Sequence, residues 1–365
     1  MAADCVGHGP TYLINPAFML RCASQAAVVG MKLKEIGEFG FIDRIAPLGS
    51  FRSEGVVKGI GDDCAVISIG GPEHLLVTTD LLVERVHFFM HWASPEVIGA
   101  KALTANLSDI AACGGIPRDA FVSLAIPETI DLEWLDGLYR GMADIARTFD
   151  VNLLGGDTTG SKSDFAINIA VTGLVPVDEV LFRHTARAND IIVLTGPTGE
   201  SGAGLDILLG SPPMTREIAR GLVASHLEPR AHVREGRLLA RSRACTAAID
   251  VSDGLSSDLG HVCRDSGVGA VVHETQLPIG KMLSQAARAI GKDPLDWVLN
   301  GGEDYVLLAA VEPGLIEDLH KQFEAEGRDL FNIGKFVAGS GMELVRIDGS
   351  RQDLIPRGWE HFRSQ

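Results

Sequence analysis

Six short stretches of the chain combine aspartate with glycine, serine or threonine, and these residue types could bind a metal ion and phosphate groups. Carboxylate oxygens suit a hard divalent cation, and hydroxyl groups add neutral oxygen ligands. Glycine lets the backbone approach a charged ligand closely. In chain order the stretches are Gly61-Asp62-Asp63, Thr78-Thr79-Asp80, Asn106-Leu107-Ser108-Asp109, Gly155-Gly156-Asp157-Thr158-Thr159, Asp250-Val251-Ser252-Asp253-Gly254 and Gly301-Gly302-Glu303-Asp304.

Each stretch alone could be an ordinary turn, because aspartate and glycine are frequent in turns. Several of the acids nevertheless follow apolar segments or lie within predicted helices, where an unpaired carboxylate is costly. One magnesium cluster that gathers the acids accounts for this placement better than six separate turns. We therefore expect folding to bring together Asp63, Asp80, Asp109, Asp157 and Asp250.

The elements that must position these residues alternate between strands and helices. Apolar spacing and start signals such as Ser94-Pro95-Glu96 predict helices over 34–45, 94–113, 131–148, 254–266 and 312–326. Strands are predicted over 65–69, 75–79, 120–126, 151–154, 165–175, 190–195, 247–250, 268–273, 305–311 and 344–347. Asp80 and Gly155-Gly156-Asp157 are expected at strand ends, and residues 196–204 are expected to form a glycine turn.

The length of 365 residues exceeds what one hydrophobic core usually supports, so two domains are expected. An apolar strand ends near Pro176, which predicts a first domain over 31–176 and a second over 177–365. Residues 1–30 lack a clear amphipathic period and the basic segment that opens a signal peptide. They are interpreted as a poorly ordered extension, or as a start assigned upstream of the true initiator at Met31.

Composition narrows the possible classes of function. A hydrophobic content of 46%, a charged content of 22% and 42 glycines are typical of a globular α/β protein. The net charge of −16 and the lack of a basic run argue against nucleic acid as a partner. Six dispersed cysteines without a C-x-x-C pair favour the reducing cytoplasm. No apolar run approaches the roughly 20 residues needed to span a membrane.

Familiar nucleotide-binding and hydrolase signatures do not fit the sequence. Gly155 and Gly160 have the glycine spacing of a P-loop, but Ser161 occupies the position of the lysine. The glycines from 199 to 204 match neither the dinucleotide-binding nor the protein-kinase pattern, and no G-x-S-x-G motif occurs. A nucleotide would therefore be held by a different architecture.

Taken in order, the acidic stretches resemble those of the thiamine-monophosphate kinases. The resemblance covers Met31 to the C-terminus, and it implies the fold of the aminoimidazole ribonucleotide synthetase superfamily. That fold is α/β (α+β), with two domains of mixed sheets and flanking helices, and with a homodimer formed through the N-terminal domains. The segments that carry the resemblance are Gly59-Ile60-Gly61-Asp62-Asp63-Cys64-Ala65, Thr78-Thr79-Asp80, His87-Phe88, Asn106-Leu107-Ser108-Asp109-Ile110-Ala111-Ala112, Gly155-Gly156-Asp157-Thr158-Thr159, Asp250-Val251-Ser252-Asp253-Gly254-Leu255 and Gly301-Gly302-Glu303-Asp304-Tyr305.

The resemblance implies transfer of the γ-phosphoryl group of ATP to thiamine monophosphate, with several Mg²⁺ ions as cofactors. Because the acceptor is itself a phosphate, charge neutralisation matters more than base catalysis, and we expect direct in-line transfer without a phosphoenzyme. Asp109, Asp157 and Asp250 are the catalytic residues that the resemblance implies.

The resemblance also assigns binding residues. The implied metal ligands are Asp63, Thr78, Thr79, Asp80, Asp109, Asp157, Asp250 and Asp253. The residues implied to contact ATP are Tyr139, Gly156, Asp157, Arg183 and Ser252. The residues implied to bind thiamine monophosphate are His87, Glu303 and Trp359.

Two alternatives must explain the same residues. A catalytically silent homologue would bind ATP or a thiamine phosphate without turnover. Another ATP-using member of the superfamily would carry its own signature: a selenophosphate synthetase needs a reactive cysteine in a glycine-rich N-terminal segment, which Cys5 and Cys22 do not provide. A hydrogenase-maturation relative needs a C-terminal cysteine, whereas the sequence ends in Ser364-Gln365.

Overall fold

Two mixed β-sheets form the framework of the chain between Leu48 and Trp359. The computed structural model describes residues 32–49, 51–210 and 214–362. The strands of the first sheet are β1 Val56–Lys58, β2 Ala65–Ser68, β3 Glu73–Val83, β4 Ile116–Pro127, β5 Asn152–Ser161 and β6 Ala166–Pro176. Their order is β1-β2-β3-β6-β4-β5, and every pair is antiparallel except β4 with β5.

The second sheet contains the strands that follow in the chain. They are β7 Ile191–Leu194, β8 Cys245–Asp250, β9 Gly269–His273, β10 Leu307–Val311, β11 Phe331–Val337, β12 Met342–Val345 and β13 Arg351–Asp353. Their order is β13-β12-β9-β11-β7-β10-β8, with β12 and β9 as the parallel pair. Side chains alternate across this sheet, so Val193 joins one hydrophobic core and Ile192 and Leu194 join another.

Helices cover both sheets. In chain order they are α1 Leu33–Ile45, α2 Pro95–Ala112, α3 Leu132–Phe149, α4 Glu200–Leu208, α5 Arg216–Leu227, α6 Val233–Ser242, α7 Leu255–Ser266, α8 Lys281–Ile290, α9 Pro294–Asn300 and α10 Ile316–Ala325. Helix α1 and residues 360–362 belong to a separate compact unit, in which His361 N donates a 3.4 Å hydrogen bond to Glu38 Oε2. None of the helices among the described residues is long and apolar enough to cross a membrane.

Helix α2 is buried on almost every side, and it carries several polar residues of interest. It packs against α3, the first sheet, α6 and β8. Glycines permit the close contact with α3, since a Cβ on Gly99 would lie 2.1 Å from Leu138 O and one on Gly141 would lie 1.8 Å from Glu96 O. The buried polar residues of α2 are Lys101, Thr104, Asn106 and Ser108. A buried helix with this composition must pair those groups with neighbouring elements.

The structure confirms the predicted α/β architecture and corrects several boundaries. Strand β3 continues to Val83, so Asp80 lies within the strand rather than at its end. Strand β5 likewise continues through Gly155-Gly156-Asp157 instead of ending there, because its backbone pairs with β4 beyond the glycines. The predicted glycine turn over 196–204 is wrong from Glu200 onward, where α4 begins. The predicted extension over 1–30 lies outside the described residues.

Further elements of the structure were not predicted from the sequence. They are the strands β1, β11 and β13 and the helices α5, α6, α8 and α9. Strands β1 and β13 have three residues each, which is too short for a periodic pattern to indicate them. The predicted domain boundary after Pro176 coincides with the end of β6, the last strand of the first sheet along the chain.

Candidate active site

Four aspartates from the two sheets and the helix between them form an acidic cluster, which comprises Asp63, Asp80, Asp109 and Asp250. Asp63 precedes β2, Asp80 lies on β3, Asp109 lies on α2 and Asp250 ends β8. Each is close enough to at least one of the others for their charges to interact. The sequence therefore correctly predicted that folding brings these four acids together.

Hydroxyl and amide side chains hold the acidic cluster in place. Thr78 Oγ1 donates a hydrogen bond to Asp109 Oδ2. Ser108 Oγ donates a 2.6 Å hydrogen bond to Asp250 Oδ2, and Asp80 N donates to Asn106 Oδ1 at 3.2 Å. Helix α2 thus connects to both β3 and β8 through polar contacts that fix the carboxylates.

Burial and mutual repulsion make the charged form of this cluster costly. Burial and the charge of Asp250 raise the pKa of Asp80 to about 7, and burial raises the pKa of Asp250 to about 6. Burial, followed by the charges of Asp250 and Asp62, raises the pKa of Asp63 well above its usual range. Burial and the charges of Asp80, Asp250 and Asp63 do the same to the pKa of Asp109.

The acidic cluster fits a divalent cation. Asp63 Oδ2 is buried and has no hydrogen-bond partner, and no lysine or arginine among the described residues forms an ion pair with any of the four carboxylates. Buried carboxylates normally have such partners or coordinate a metal. All the donor atoms are carboxylate and hydroxyl oxygens, which is the ligand set that Mg²⁺ prefers.

Two of the residues implied as metal ligands lie on the other face of the first sheet. Across β3, β6, β4 and β5, one row of paired residues consists of Asp80, Ile169, Val122 and Gly156. The neighbouring row consists of Leu81, Asn168, Ser123 and Asp157. Neighbouring rows present their side chains on opposite faces, and β5 is three strands from β3, roughly 14 Å at ordinary strand spacing. Thr79 also lies on this second face, where its Oγ1 accepts a 2.9 Å hydrogen bond from Asn168. The structure therefore does not bring Asp157 and Thr79 into the acidic cluster, and their metal-binding roles stay predictions.

Gly156 lies where only glycine fits. Its φ is 148°, and a Cβ there would lie 1.6 Å from Val122 O. This explains the glycine on structural grounds, and a contact with ATP stays a prediction.

The loop after β8 brings Ser252 and Asp253 next to further acidic and imidazole groups. Asp253 N and Gly254 N donate to Asp258 Oδ2 at 3.2 and 3.0 Å. The ligand atoms of Asp253, Asp258 and His261 all lie within 4.8 Å of one another. Asp253 thus has neighbours that the sequence did not suggest, and its role as a metal ligand stays a prediction.

The remaining residues implied to contact ATP lie at two places. Arg183 Nε donates a 2.8 Å hydrogen bond to Asp265 Oδ2, and the charge of Arg183 opposes the effect of burial on the pKa of Asp62 and Asp63. Arg183 is therefore close to the acidic cluster. Tyr139 lies on the outer surface of α3, where it lines a shallow depression of about 480 Å³ with Arg140 and other residues of the same helix.

The residues implied to bind thiamine monophosphate come from three separate segments of the chain. Burial raises the pKa of Tyr305, and the charges of Glu303 and Asp80 raise it further, so Tyr305 is close to both carboxylates. His87 Nδ1 accepts a 3.0 Å hydrogen bond from Val83 N, and its charge acts on Glu303. Trp359 N donates to Asp253 O at 2.9 Å, and 38% of the residue is exposed.

Comparison with known proteins identifies the family. Residues 61–175 match the AIR synthase related protein N-terminal domain, and residues 187–347 match the corresponding C-terminal domain. The thiamine-monophosphate kinase of Bacillus subtilis is 33% identical over 329 residues, which cover 89% of this chain and 99% of that protein. The enzyme of the same name from Aquifex aeolicus is 33% identical over 332 residues, which cover 91% and 100%.

The chain belongs to the thiamine-monophosphate kinase family. The solved structure of AaThiL complexed with AMPPCP and TMP has a TM-score of 0.79 and 31% identity, and it covers 91% of this chain and 99% of that one. Membership of this kinase family makes the chain a phosphotransferase and confirms the fold that the acidic stretches implied.

Several polar residues of this thiamine-monophosphate kinase family member were not assigned a role from the sequence. Asn106 and Ser108 occur in a motif that was recognised, but their hydrogen bonds to Asp80 and Asp250 depend on the tertiary structure. Lys101 and His226, which contact each other and Glu303, were missed altogether. A signal for Lys101 existed, because it is the one charged residue in the apolar run Val97-Ile98-Gly99-Ala100-Lys101-Ala102-Leu103.

Proposed function

We propose that the chain transfers the γ-phosphoryl group of ATP to thiamine monophosphate, which yields thiamine diphosphate and ADP. The observation that carries the proposal is the acidic cluster, in which four carboxylates from two sheets and a helix converge and none is ion-paired with a lysine or arginine of the described residues. Because carboxylates repel phosphate groups, such a cluster can bind two polyanionic substrates only through bound cations. The family relatives with the same activity in their names support the choice of substrates.

The residues that would hold Mg²⁺ are those that the geometry gathers. Asp63, Asp80, Asp109 and Asp250 supply carboxylate oxygens, and Thr78 supplies a hydroxyl beside Asp109. When bound, Mg²⁺ neutralises the charge of the phosphate groups and of the leaving ADP. Asp109 is the best placed to contact more than one ion, because its charge interacts with those of Asp63, Asp80 and Asp250.

Transfer is direct and in line, without a covalent enzyme intermediate. A phosphate oxygen of the acceptor is already a nucleophile, so no side chain has to remove its proton. The residues around the acidic cluster orient carboxylates rather than activate a hydroxyl or thiol: Thr78 and Ser108 donate hydrogen bonds to Asp109 and Asp250. The task of the chain is therefore to hold two phosphate groups at reacting distance.

The chain forms a homodimer through the uncovered face of the first sheet. Helices α2 and α3 cover one face, while Leu81 and Phe121 on the other face are 55% and 40% exposed. Exposed apolar residues on a sheet face are typical of an interface between subunits. The predicted ligands Asp157 and Thr79 lie on this face too, so a second copy would stand beside them.

A coupled assay for ADP release tests the proposed activity and separates it from the silent alternative. We expect ADP release that requires both thiamine monophosphate and Mg²⁺, and none with thiamine. A sensor would bind ATP or thiamine monophosphate in calorimetry and release no ADP, which would contradict the proposal. Transfer of a labelled phosphoryl group from ATP onto the protein itself would contradict direct transfer.

A further inference from the structure

A buried lysine connects helix α2 to the segment that carries Glu303. Only 3% of the side chain of Lys101 is exposed, and its Nζ donates a 2.9 Å hydrogen bond to Glu303 Oε2. A buried ammonium without an anionic partner would be costly, and so would the carboxylate without the ammonium. The pair links residues 202 positions apart, one on the central helix and one between α9 and β10.

His226 completes the arrangement around Lys101. Lys101 Nζ lies 3.3 Å from His226 Nε2, and His226 Nδ1 lies 3.1 Å from Ser201 Oγ and 3.4 Å from Glu303 Oε2. An ammonium can only donate, so Nε2 must be the acceptor and Nδ1 must carry the hydrogen of a neutral ring. The lysine and the imidazole therefore both act on the same oxygen of Glu303.

The backbone around Glu303 is also tightly constrained. Its φ is 62°, in the left-handed region that residues other than glycine seldom adopt. Glu303 N donates a 2.7 Å hydrogen bond to Ser252 O, and a Cβ on Gly302 would lie 2.8 Å from the same oxygen. Asp304 anchors the next position by accepting from Gly199 N at 2.6 Å. These contacts hold the segment in one conformation.

The second oxygen of Glu303 is available to a ligand. Oε2 is held by Lys101, whereas Oε1 makes no hydrogen bond within the described part of the chain, and 24% of the side chain is exposed. The charge of His87 acts on the same carboxylate, and the charges of Glu303 and of Asp80 in the acidic cluster both act on Tyr305. A carboxylate with one oxygen fixed and one open suits a cationic ligand that also carries N–H donors.

We propose that Lys101 is a positioning residue of the acceptor site: it holds Glu303 Oε2 so that Oε1 binds the cationic, amino-bearing ring end of thiamine monophosphate. This inference rests on the proposed function, because it assigns a role within the same acceptor site. Lys101 acts through Glu303, and it has no part in binding ATP.

The test compares Lys101→Met with Glu303→Gln and with the double variant, using KM values for both substrates and calorimetric binding of thiamine monophosphate. Loss of a charge-assisted hydrogen bond should raise the KM for thiamine monophosphate roughly 10- to 100-fold. The KM for ATP should change less than about twofold. The KM of the double variant for thiamine monophosphate should not exceed that of the more impaired single variant, because all three variants remove the same interaction. Lys292→Met is the matched control, since Lys292 pairs with Asp206 and Asp296 elsewhere.

The outcomes separate this inference from the proposed function. If the unmodified chain does not phosphorylate thiamine monophosphate, the proposed function fails. If it does, and Lys101→Met binds thiamine monophosphate as tightly as the unmodified chain, the positioning role fails alone. An equal rise in the KM for both substrates would show a structural role for Lys101 and would overturn the inference. Failure of both Lys101→Met and the charge-free double variant to fold would do the same.

Discussion

Ser108 Oγ donates a 2.6 Å hydrogen bond to Asp250 Oδ2, which joins the central helix to the last residue of a strand in the second sheet. The two residues are 142 positions apart, and both are buried. This contact, rather than a contiguous motif, sets the position of Asp250 beside Asp63 and Asp80. Residues that orient metal ligands in this way commonly matter almost as much as the ligands.

Ser108→Ala should weaken the affinity for Mg²⁺ without preventing folding. Loss of the hydroxyl donor removes a contact that favours the charged form of Asp250, so the concentration of Mg²⁺ for half-maximal activity should rise roughly 10-fold or more. Titration of activity with Mg²⁺ measures this directly. Thr148→Ala is the control, because Thr148 Oγ1 donates a hydrogen bond to Asp144 O on the exposed surface of α3. An unchanged Mg²⁺ requirement would contradict the assigned role of Ser108.

Asp63→Asn should stabilise the metal-free protein while it abolishes activity. Burial and the neighbouring charges of Asp250 and Asp62 disfavour the carboxylate of Asp63, and its Oδ2 has no hydrogen-bond partner in the part of the chain that the structure describes. Removal of that charge should raise the melting temperature by roughly 2 °C or more without Mg²⁺. The increase in melting temperature that Mg²⁺ causes should be smaller for the variant than for the unmodified chain. Thermal unfolding with and without Mg²⁺ checks both, and a variant less stable than the unmodified chain in both conditions would contradict the account.

His226 should remain neutral well below neutral pH. Burial, and then the charge of Lys101, lower the pKa of His226 to about 4. The unfolded chain takes up this proton near pH 6.5 and the folded chain does not, so the stability due to neutral His226 is complete above pH 6.5 and is lost as the pH falls toward 4. At pH 5 the loss is about 2 kcal/mol relative to His226→Gln.

Urea unfolding of both proteins at pH 5 and pH 7.5 measures this difference, and an imidazole titration by NMR gives the pKa itself. A midpoint near 6.5 for His226 would show that Lys101 and the imidazole are not in the contact that the structure describes.

Phe121→Glu should convert the proposed dimer to a monomer. Phe121 lies on the uncovered face of the first sheet, and a buried unpaired carboxylate there would be costly at an interface. Light scattering should give twice the chain mass for the unmodified protein and one chain mass for the variant. Leu132→Glu is the matched control, because Leu132 is 73% exposed at the start of α3. A variant that stays dimeric would assign the interface to another surface.

The acidic cluster could be predicted from the sequence because its members occur in ordered stretches with chemical meaning. Asp109 lies on a helix that Ser94-Pro95-Glu96 indicated, and Asp250 is the last residue of an apolar strand that was also predicted. Their convergence depends on the tertiary fold, but a shared need for a cation was a sufficient reason to expect it.

The positions that could not be predicted depend on strand register and on burial. Asp157 and Asp80 lie on opposite faces of the first sheet. A shift of one residue in the pairing of two strands moves a side chain to the other face, and the register between β4 and β5 changes after Ala120. The proposed role of Lys101 depends on its contact with Glu303, which is 202 positions away in the sequence. Neither relationship leaves a local pattern in the sequence.

Phosphorus NMR of a reaction with ATP, Mg²⁺ and thiamine monophosphate tests the central claim most directly. We predict that one thiamine diphosphate appears for each ADP, with no inorganic phosphate, and that Asp109→Ala retains its fold and gives no product. Release of inorganic phosphate instead of thiamine diphosphate, or near-normal turnover by Asp109→Ala at saturating Mg²⁺, would contradict the account.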